Sequence, residues 1–113
     1  MEFLQPYLDT IKNHYFDFEG RVGRRTFWMF FLVNVLISII LSFFNSYSLS
    51  YIYSLAILLP SLGIGARRLH DVGKSGWWQL ISIIPLVGII VLIVFWAQEG
   101  QPGANEYGEA PQE

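Results

Sequence analysis

Between Thr26 and Ala66 the chain carries 41 consecutive residues without a single Asp, Glu, Lys or Arg. A second uncharged run covers Ser75–Gln98. No other feature limits the fold as tightly. A chain of 113 residues has too little interior to hide both runs, because small domains keep much of their surface in water. Apolar runs of about 20 residues instead match the roughly 30 Å hydrocarbon core of a bilayer. The expectation is an all-α membrane protein, with the lipid bilayer as its first partner. The 14% charged content, against a usual share of about a quarter, points the same way.

As one helix the first run would be about 61 Å long, twice the membrane, so it must fold back. Its polar break is "NSYS", Asn45 to Ser48, which predicts helices over 27–44 and 47–66. A third is predicted over 77–97. Pro60 and Pro85 each cancel a backbone hydrogen bond, freeing the carbonyls of Ala56 and Ile81 and predicting kinks. Residues 1–19 place Leu4, Leu8, Ile11, Tyr15 and Phe18 at helical steps. They predict a short amphipathic helix, lying in the membrane interface or packed on the protein's own helix ends. Residues 20–26 form a basic juxtamembrane segment. Residues 98–113, rich in Gly, Pro and Glu with no apolar period, predict an acidic flexible tail. The fold class is three transmembrane helices preceded by a short amphipathic N-terminal helix.

All seven cations lie before the first helix (Lys12, Arg21, Arg24, Arg25) or between the second and third (Arg67, Arg68, Lys74). Basic residues favour the cytoplasmic side. That predicts a cytoplasmic N-terminus and a periplasmic C-terminus, with the first helix as its own insertion signal. Trp28, Trp77 and Trp78 fall at the predicted inner ends, and Tyr47, Tyr51 and Trp96 at the outer ends, where amphipathic rings favour the headgroup level. Apolar side chains gain little by leaving lipid for one another, so small and polar residues mark helix interfaces. Asn34, Ser38 and Ser42, then Ser50, Ser54, Ser61 and Gly65, then Ser82, Pro85 and Gly88 are the expected packing faces.

The chemistry is sparse. Without cysteine there are no disulfides or thiolate sites. Two histidines with scattered carboxylates do not suggest a metal centre, and no cofactor or nucleic-acid partner is expected. "GKS" at Gly73–Ser75 resembles the end of a phosphate-binding loop, but Arg68 stands where that motif needs its first glycine. His70 and Asp71 are neighbours, about 100° apart on a helix, and do not face each other. Asp71 is better placed for Arg67 at i,i+4 and Arg68 at i,i+3. Gly73 and Ser75 are candidate caps ending one helix and starting the next. Arg21, Arg24, Arg25, Arg67, Arg68 and Lys74 with the three inner tryptophans make a candidate corner for anionic lipid headgroups or small anions. Setting topology by itself accounts for every one of these six cations.

Topology does not account for "FDFEGRVGRRTFW" (16–28), "LPSLGIGARRLHDVGKSGWW" (59–78), "IPLVG" (84–88) and "GQPGANEYG" (100–108). In this order they resemble the bacterial inner-membrane family called domain of unknown function 805, over about residues 16–111. The family pattern falls on Gly20, Arg21, Arg24, Phe27, Trp28, Pro60, Arg67, Arg68, Leu69, His70, Asp71, Gly73, Ser75, Gly76, Trp77 and Trp78. Glu106 and Ala104 depart from it. The resemblance implies a small multi-pass protein of the bacterial inner membrane and no activity. Three functions follow in order: a non-enzymatic protein acting through partners or as a homo-oligomer, an anion or lipid binder at the basic corner, and a membrane-embedded enzyme using His70 or Asp71.

Overall fold

The computed structural model describes residues 2–44 and 47–111. Among these residues four α-helices form: α1 Gln5–Asn13, α2 Arg24–Phe43, α3 Tyr47–Asp71 and α4 Val87–Ala97. A 3-10 turn, Glu2–Leu4, precedes α1, and a 3-10 helix, Gly76–Ile83, precedes α4. Asn45 and Ser46 of the expected "NSYS" turn lie outside the described residues.

α2 and α3 are long and apolar enough to cross a membrane, with mean hydropathies of 2.2 and 1.6. α2 buries Phe27, Phe30 and Val33 and turns Phe31, Leu36, Ile40 and Phe43 outward. So continuous an apolar surface suits lipid better than water. α3 runs past the expected end at Ala66 to Asp71, so Arg67–Asp71 are helical rather than a loop. Its last turns, from Gly63 to Asp71, are buried throughout. Gly73, at φ +80°, then stops it. The Gly73 N–H reaches the His70 carbonyl at 3.0 Å and the Lys74 N–H the Leu69 carbonyl at 2.8 Å, the paired bonds of a Schellman cap.

α1 is shorter than the predicted 1–19 and packs on the protein itself, along the flanks of α2 and α3. Its inner face carries Tyr7, Thr10 and Ile11, while Leu8 and Phe18 are exposed. Tyr7 stacks on Phe30 at 5.3 Å and shares a 2.9 Å hydrogen bond with the Tyr53 hydroxyl. Tyr53 in turn donates to Asn34 Oδ1 at 2.6 Å. The Ala56 carbonyl freed by Pro60 accepts from the Tyr15 hydroxyl at 2.5 Å. A side chain from the N-terminal segment thus satisfies the group that proline leaves open.

The continuous third helix expected over 77–97 does not form. Pro85 disfavours α conformation in the residue before it, and Ile84 is extended, at φ −79° and ψ 111°. Leu86 takes φ 63° and ψ −58°, and the Val87 N–H bonds the Pro85 carbonyl two residues back at 2.6 Å. This is a strained, positive-φ γ-turn. The chain doubles back on itself, and Gly88 lets it. A Cβ there would collide with the Ile81 carbonyl oxygen and fall 2.8 Å from Ser82 Cα, both backbone atoms. The two arms, 8 residues of 3-10 helix and 11 of α-helix, are each about 16 Å long, half a bilayer. α4 therefore ends beside the start of α2. The Trp96 ring lies 4.9 Å from Phe27, and its Nε1 donates to the Gly65 carbonyl at 3.2 Å. Trp96 belongs to this end of the bundle, not to the outer one.

Of the expected packing residues, Asn34, Gly65 and Gly88 sit at contacts between elements. Ser38 and Ser42 bond carbonyls of their own helix, Asn34 at 2.9 Å and Ile39 at 2.6 Å, while Ser54 and Ser82 are exposed. Ser61 Oγ is buried without a hydrogen-bond partner among the described residues. Gly63, not anticipated, is where the Asp17 backbone crosses α3, 2.6 Å from a Cβ placed there.

Two substitutions separate the hairpin's requirements. Gly88→Ala is expected to wedge the arms apart and lower the thermal midpoint in detergent by the equivalent of about 2 kcal/mol or more. Leu86→Gly removes the left-handed strain from a residue that is 75% exposed, and is expected to raise stability by about 1 kcal/mol.

Candidate functional site

At the end of α3 the chain brings together two arginines and one aspartate. Arg68 is fully buried and Asp71 is 4% exposed. Arg68 Nη1 meets Asp71 Oδ2 at 2.6 Å, and Arg21 Nε meets Asp71 Oδ1 at 3.0 Å. The Arg21 side chain is itself 1% exposed. Isolated ions in such a place are costly, and partnering by charge and hydrogen bonds makes burial tolerable.

The remaining guanidinium donors take backbone carbonyls. Arg68 Nε donates to Trp96 O at 2.9 Å, Nη1 also to Val22 O at 3.3 Å, and Nη2 to Gln98 O. The last carbonyls of α4 lack helical partners, and a cation complements the negative end of the helix. Arg21 holds the tail: Nη1 donates to Gly103 O at 2.6 Å and Gly108 O at 3.2 Å, and Nη2 to Gln101 O at 2.5 Å. The Gln101 N–H reaches the Asp71 carbonyl at 2.8 Å, and Asn105 Nδ2 the His70 carbonyl at 3.0 Å. Gly100 is required here because a Cβ would strike the Asp71 carboxylate.

The expected tail is thus an ordered part of the fold as far as it is described: residues 98–111 lie across the corner, held through their own carbonyls. Residues 112–113 lie outside the described residues. The tail and the RRLHD corner meet at the same end of the structure, since Arg21 bonds both.

The other corner residues disperse. Arg67 does not pair with Asp71. It is 5% exposed, and its Nε and Nη2 are buried without hydrogen-bond partners among the described residues, while its carbonyl accepts the Val22 N–H at 3.1 Å. Arg24 and Arg25 are exposed on the first turn of α2, with Arg24 Nη1 3.4 Å from the Ala97 carbonyl. Lys74 Nζ stands 4.7 Å over the Phe95 ring. Trp28 is half-buried against Phe27, whereas Trp77 and Trp78 are 78% and 44% exposed. Ser75 starts the 3-10 helix, its Oγ accepting the Trp77 N–H at 3.2 Å.

His70 is 9% exposed. Its Nδ1 lies 2.8 Å from the Gly20 carbonyl, and Tyr107 stacks on its ring at 4.0 Å, almost parallel. Burial, then the hydrogen bond and charge of Glu106, push the Tyr107 hydroxyl above its usual value. His14 forms a separate cluster, 2.6 Å from Asp17 and 3.5 Å from Asp9. Burial works to raise the Asp17 carboxyl, but the His14 hydrogen bond, the Glu19 N–H and nearby positive charge outweigh it and hold it below 3.8. Its contribution to stability is therefore present at neutral pH and fades only in strong acid. Among the described residues no group of three or more His, Cys, Asp or Glu is placed to hold a metal ion.

Two apolar helices long enough to cross a membrane, closed at one end by a buried ionic clasp, define a small helical protein of the membrane class. The chain belongs to the family described as "Protein of unknown function (DUF805)", whose model matches residues 15–109. It is 40% identical over 115 residues to inner membrane protein YhaI of Escherichia coli (strain K12), covering 96% of this chain and 97% of that one. It is 37% identical over 116 residues to inner membrane protein YhaH of the same strain, covering 94% and 95%. The uncharacterized protein YiiR is 28% identical over 134 residues, covering 92% of each chain. No solved structure matches.

Asp71→Asn leaves two buried guanidinium groups short of their shared counter-charge and is expected to cost about 3–5 kcal/mol. Arg68→Lys is expected to be nearly as harmful, because one ammonium cannot span four acceptors in a planar fork. Thermal midpoints in detergent measure both.

Proposed function

We propose that this protein is a non-enzymatic inner-membrane subunit with two membrane-spanning helices and a re-entrant hairpin, acting through protein contacts and first with a second copy of itself. One observation carries the reading: the hairpin's turn is uncovered. Ile83 is 77% and Leu86 75% exposed, at the point where the backbone is neither α-helical nor buried. Irregular backbone at membrane depth is tolerated where protein surrounds it. A neighbouring polypeptide supplies that cover, and the same hairpin on a second copy is the simplest one. The non-enzymatic part is supported by Asp71, both of whose carboxylate oxygens are engaged by arginine.

Because the chain has no cysteine, any disulfide formed by a single-cysteine variant is intermolecular, and a product of twice the chain's mass joins two copies. Ile83→Cys and Leu86→Cys are expected to form disulfide-linked dimers in native membranes under mild oxidation, while Phe31→Cys on the exposed side of α2 forms few. Equal cross-linking at all three positions, or none, refutes self-association through the hairpin.

The clasp also bears on orientation. With the basic segment, the RRLHD corner and the tail at one end, the preference of cations for the inner side puts both termini in the cytoplasm. A green fluorescent protein fused at the C-terminus is expected to fluoresce, and alkaline phosphatase inserted after Ser48 to be active; the reverse pair overturns this orientation.

A second reading, binding of anionic headgroups, is supported by Arg24 and Arg25, which are exposed beside a polar hollow of about 430 Å³. The tightly partnered Arg21 and Arg68 contribute to it only as scaffold. Arg24→Ala with Arg25→Ala is expected to lower co-purified anionic lipid without moving the thermal midpoint.

A further inference from the structure

We infer that the cleft between α3 and the 3-10 arm of the hairpin is a binding site for an uncharged amphiphile bearing a hydroxyl group. The cleft encloses about 540 Å³ and is half open, within the size range of small-ligand pockets. Leu62 and Ala66 of α3, Trp77 and Leu80 of the 3-10 arm, and Phe18 give it an apolar body. None of its lining residues is an Asp, Glu, Lys or Arg. A charged headgroup would enter without a counter-charge, which is costly away from water.

The polar wall is small and specific. His70 lines the cleft and is nine-tenths buried. A carbonyl only accepts, so the contact with Gly20 O at 2.8 Å places the proton of the neutral ring on Nδ1 and leaves Nε2 as the acceptor. Nε2 emerges beside Gly76, 3.7 Å from where a Cβ of that residue would stand, and has no hydrogen-bond partner among the described residues. Tyr107, stacked on the ring, fixes its orientation. Ser75, on the same wall, accepts the Trp77 N–H, and its own O–H has no acceptor among the described residues. Gln79 also lines the cleft, its Nε2 given to the Leu62 and Gly76 carbonyls. The cleft therefore offers an acceptor at His70 Nε2 and a donor at Ser75 Oγ beside an apolar floor. A hydroxyl group is both donor and acceptor, and an apolar tail or ring fills the rest. Gly76 keeps the entrance tight, since a Cβ there would fall 2.7 Å from the Ala66 methyl.

This chemistry fits two sources, an aliphatic glyceride and a ring alcohol of the quinol type, and the test separates them. The full-length protein is reconstituted in phosphatidylcholine nanodiscs and photolabelled with diazirine-bearing 1,2-diacylglycerol or a diazirine-bearing quinol. Each is compared with its own methyl ether and with phosphatidic acid of matched chains. Saturable labelling within residues 62–80 by at least one hydroxyl probe, ten-fold or more above the ethers and phosphatidic acid, is expected, and the probe that labels names the source. Leu80→Trp, which fills the apolar side and leaves His70 untouched, is expected to abolish it at an unchanged thermal midpoint. His70→Phe, which keeps a ring against Tyr107, is expected to reduce hydroxyl-probe labelling to the level of the ether. Labelling that is unsaturable, equal for hydroxyl and ether, or preserved in Leu80→Trp overturns the proposal and leaves the cleft as a groove for bulk lipid tails. Should His70→Phe fail to fold, the hydroxyl-to-ether ratio on the unaltered protein decides alone.

Discussion

One carboxylate shared between two guanidinium groups holds this protein's polar end together. Asp71 sits on the last turn of α3, Arg68 one turn before it, and Arg21 in the segment entering α2. Through the two arginines, Asp71 ties four stretches that are distant in sequence: residues 20–22, the end of α3, the end of α4 and the tail. Each ion alone would be costly to bury. Both guanidinium groups share the one carboxylate, and their spare donors take the backbone carbonyls of Trp96, Gln98, Gln101 and Gly103. Its net charge of about plus one lies against the carbonyl ends of α3 and α4, where the helix dipole favours a cation.

The hairpin depends on that clasp and also shapes it. Pro85 and Leu86 reverse the chain, and Gly88 brings the arms into backbone contact. α4 consequently returns to the clasp and delivers its carbonyl end to Arg68. Without the reversal, the tail would emerge far from Asp71. The amphiphile cleft arises from the same geometry, since its walls are the outgoing 3-10 arm and the buried end of α3.

Much of this architecture was legible. The 41 uncharged residues required two long apolar helices, and spacing offered Asp71 both Arg67 and Arg68, of which Arg68 forms the pair. Gly73 and Ser75 stand where caps belong. Other elements left no readable signal. The run from Trp77 to Ala97 is uniformly apolar, so periodicity does not distinguish one span from two half-length arms. Pro85 and Gly88, three residues apart, were the hint, and a kink was the reading they invited. The tail looked disordered because it is held by its backbone carbonyls, which every sequence possesses, rather than by an apolar face. Arg67 and Arg68 are indistinguishable in the sequence, yet Arg68 is held by four acceptors and Arg67 has two buried nitrogens without partners among the described residues.

The sequence by itself determined the environment and the secondary structure class: long uncharged runs fit lipid, and a helix satisfies its own backbone there. It also determined where the cations lie along the chain. Only the tertiary structure decided which end each segment returns to, because a hairpin and a span can share one apolar pattern and differ in a single γ-turn. The same holds for function. Whether an arginine is scaffold or binding group depends on which carbonyls come within hydrogen-bond reach of it, and those carbonyls belong to residues up to 87 positions away.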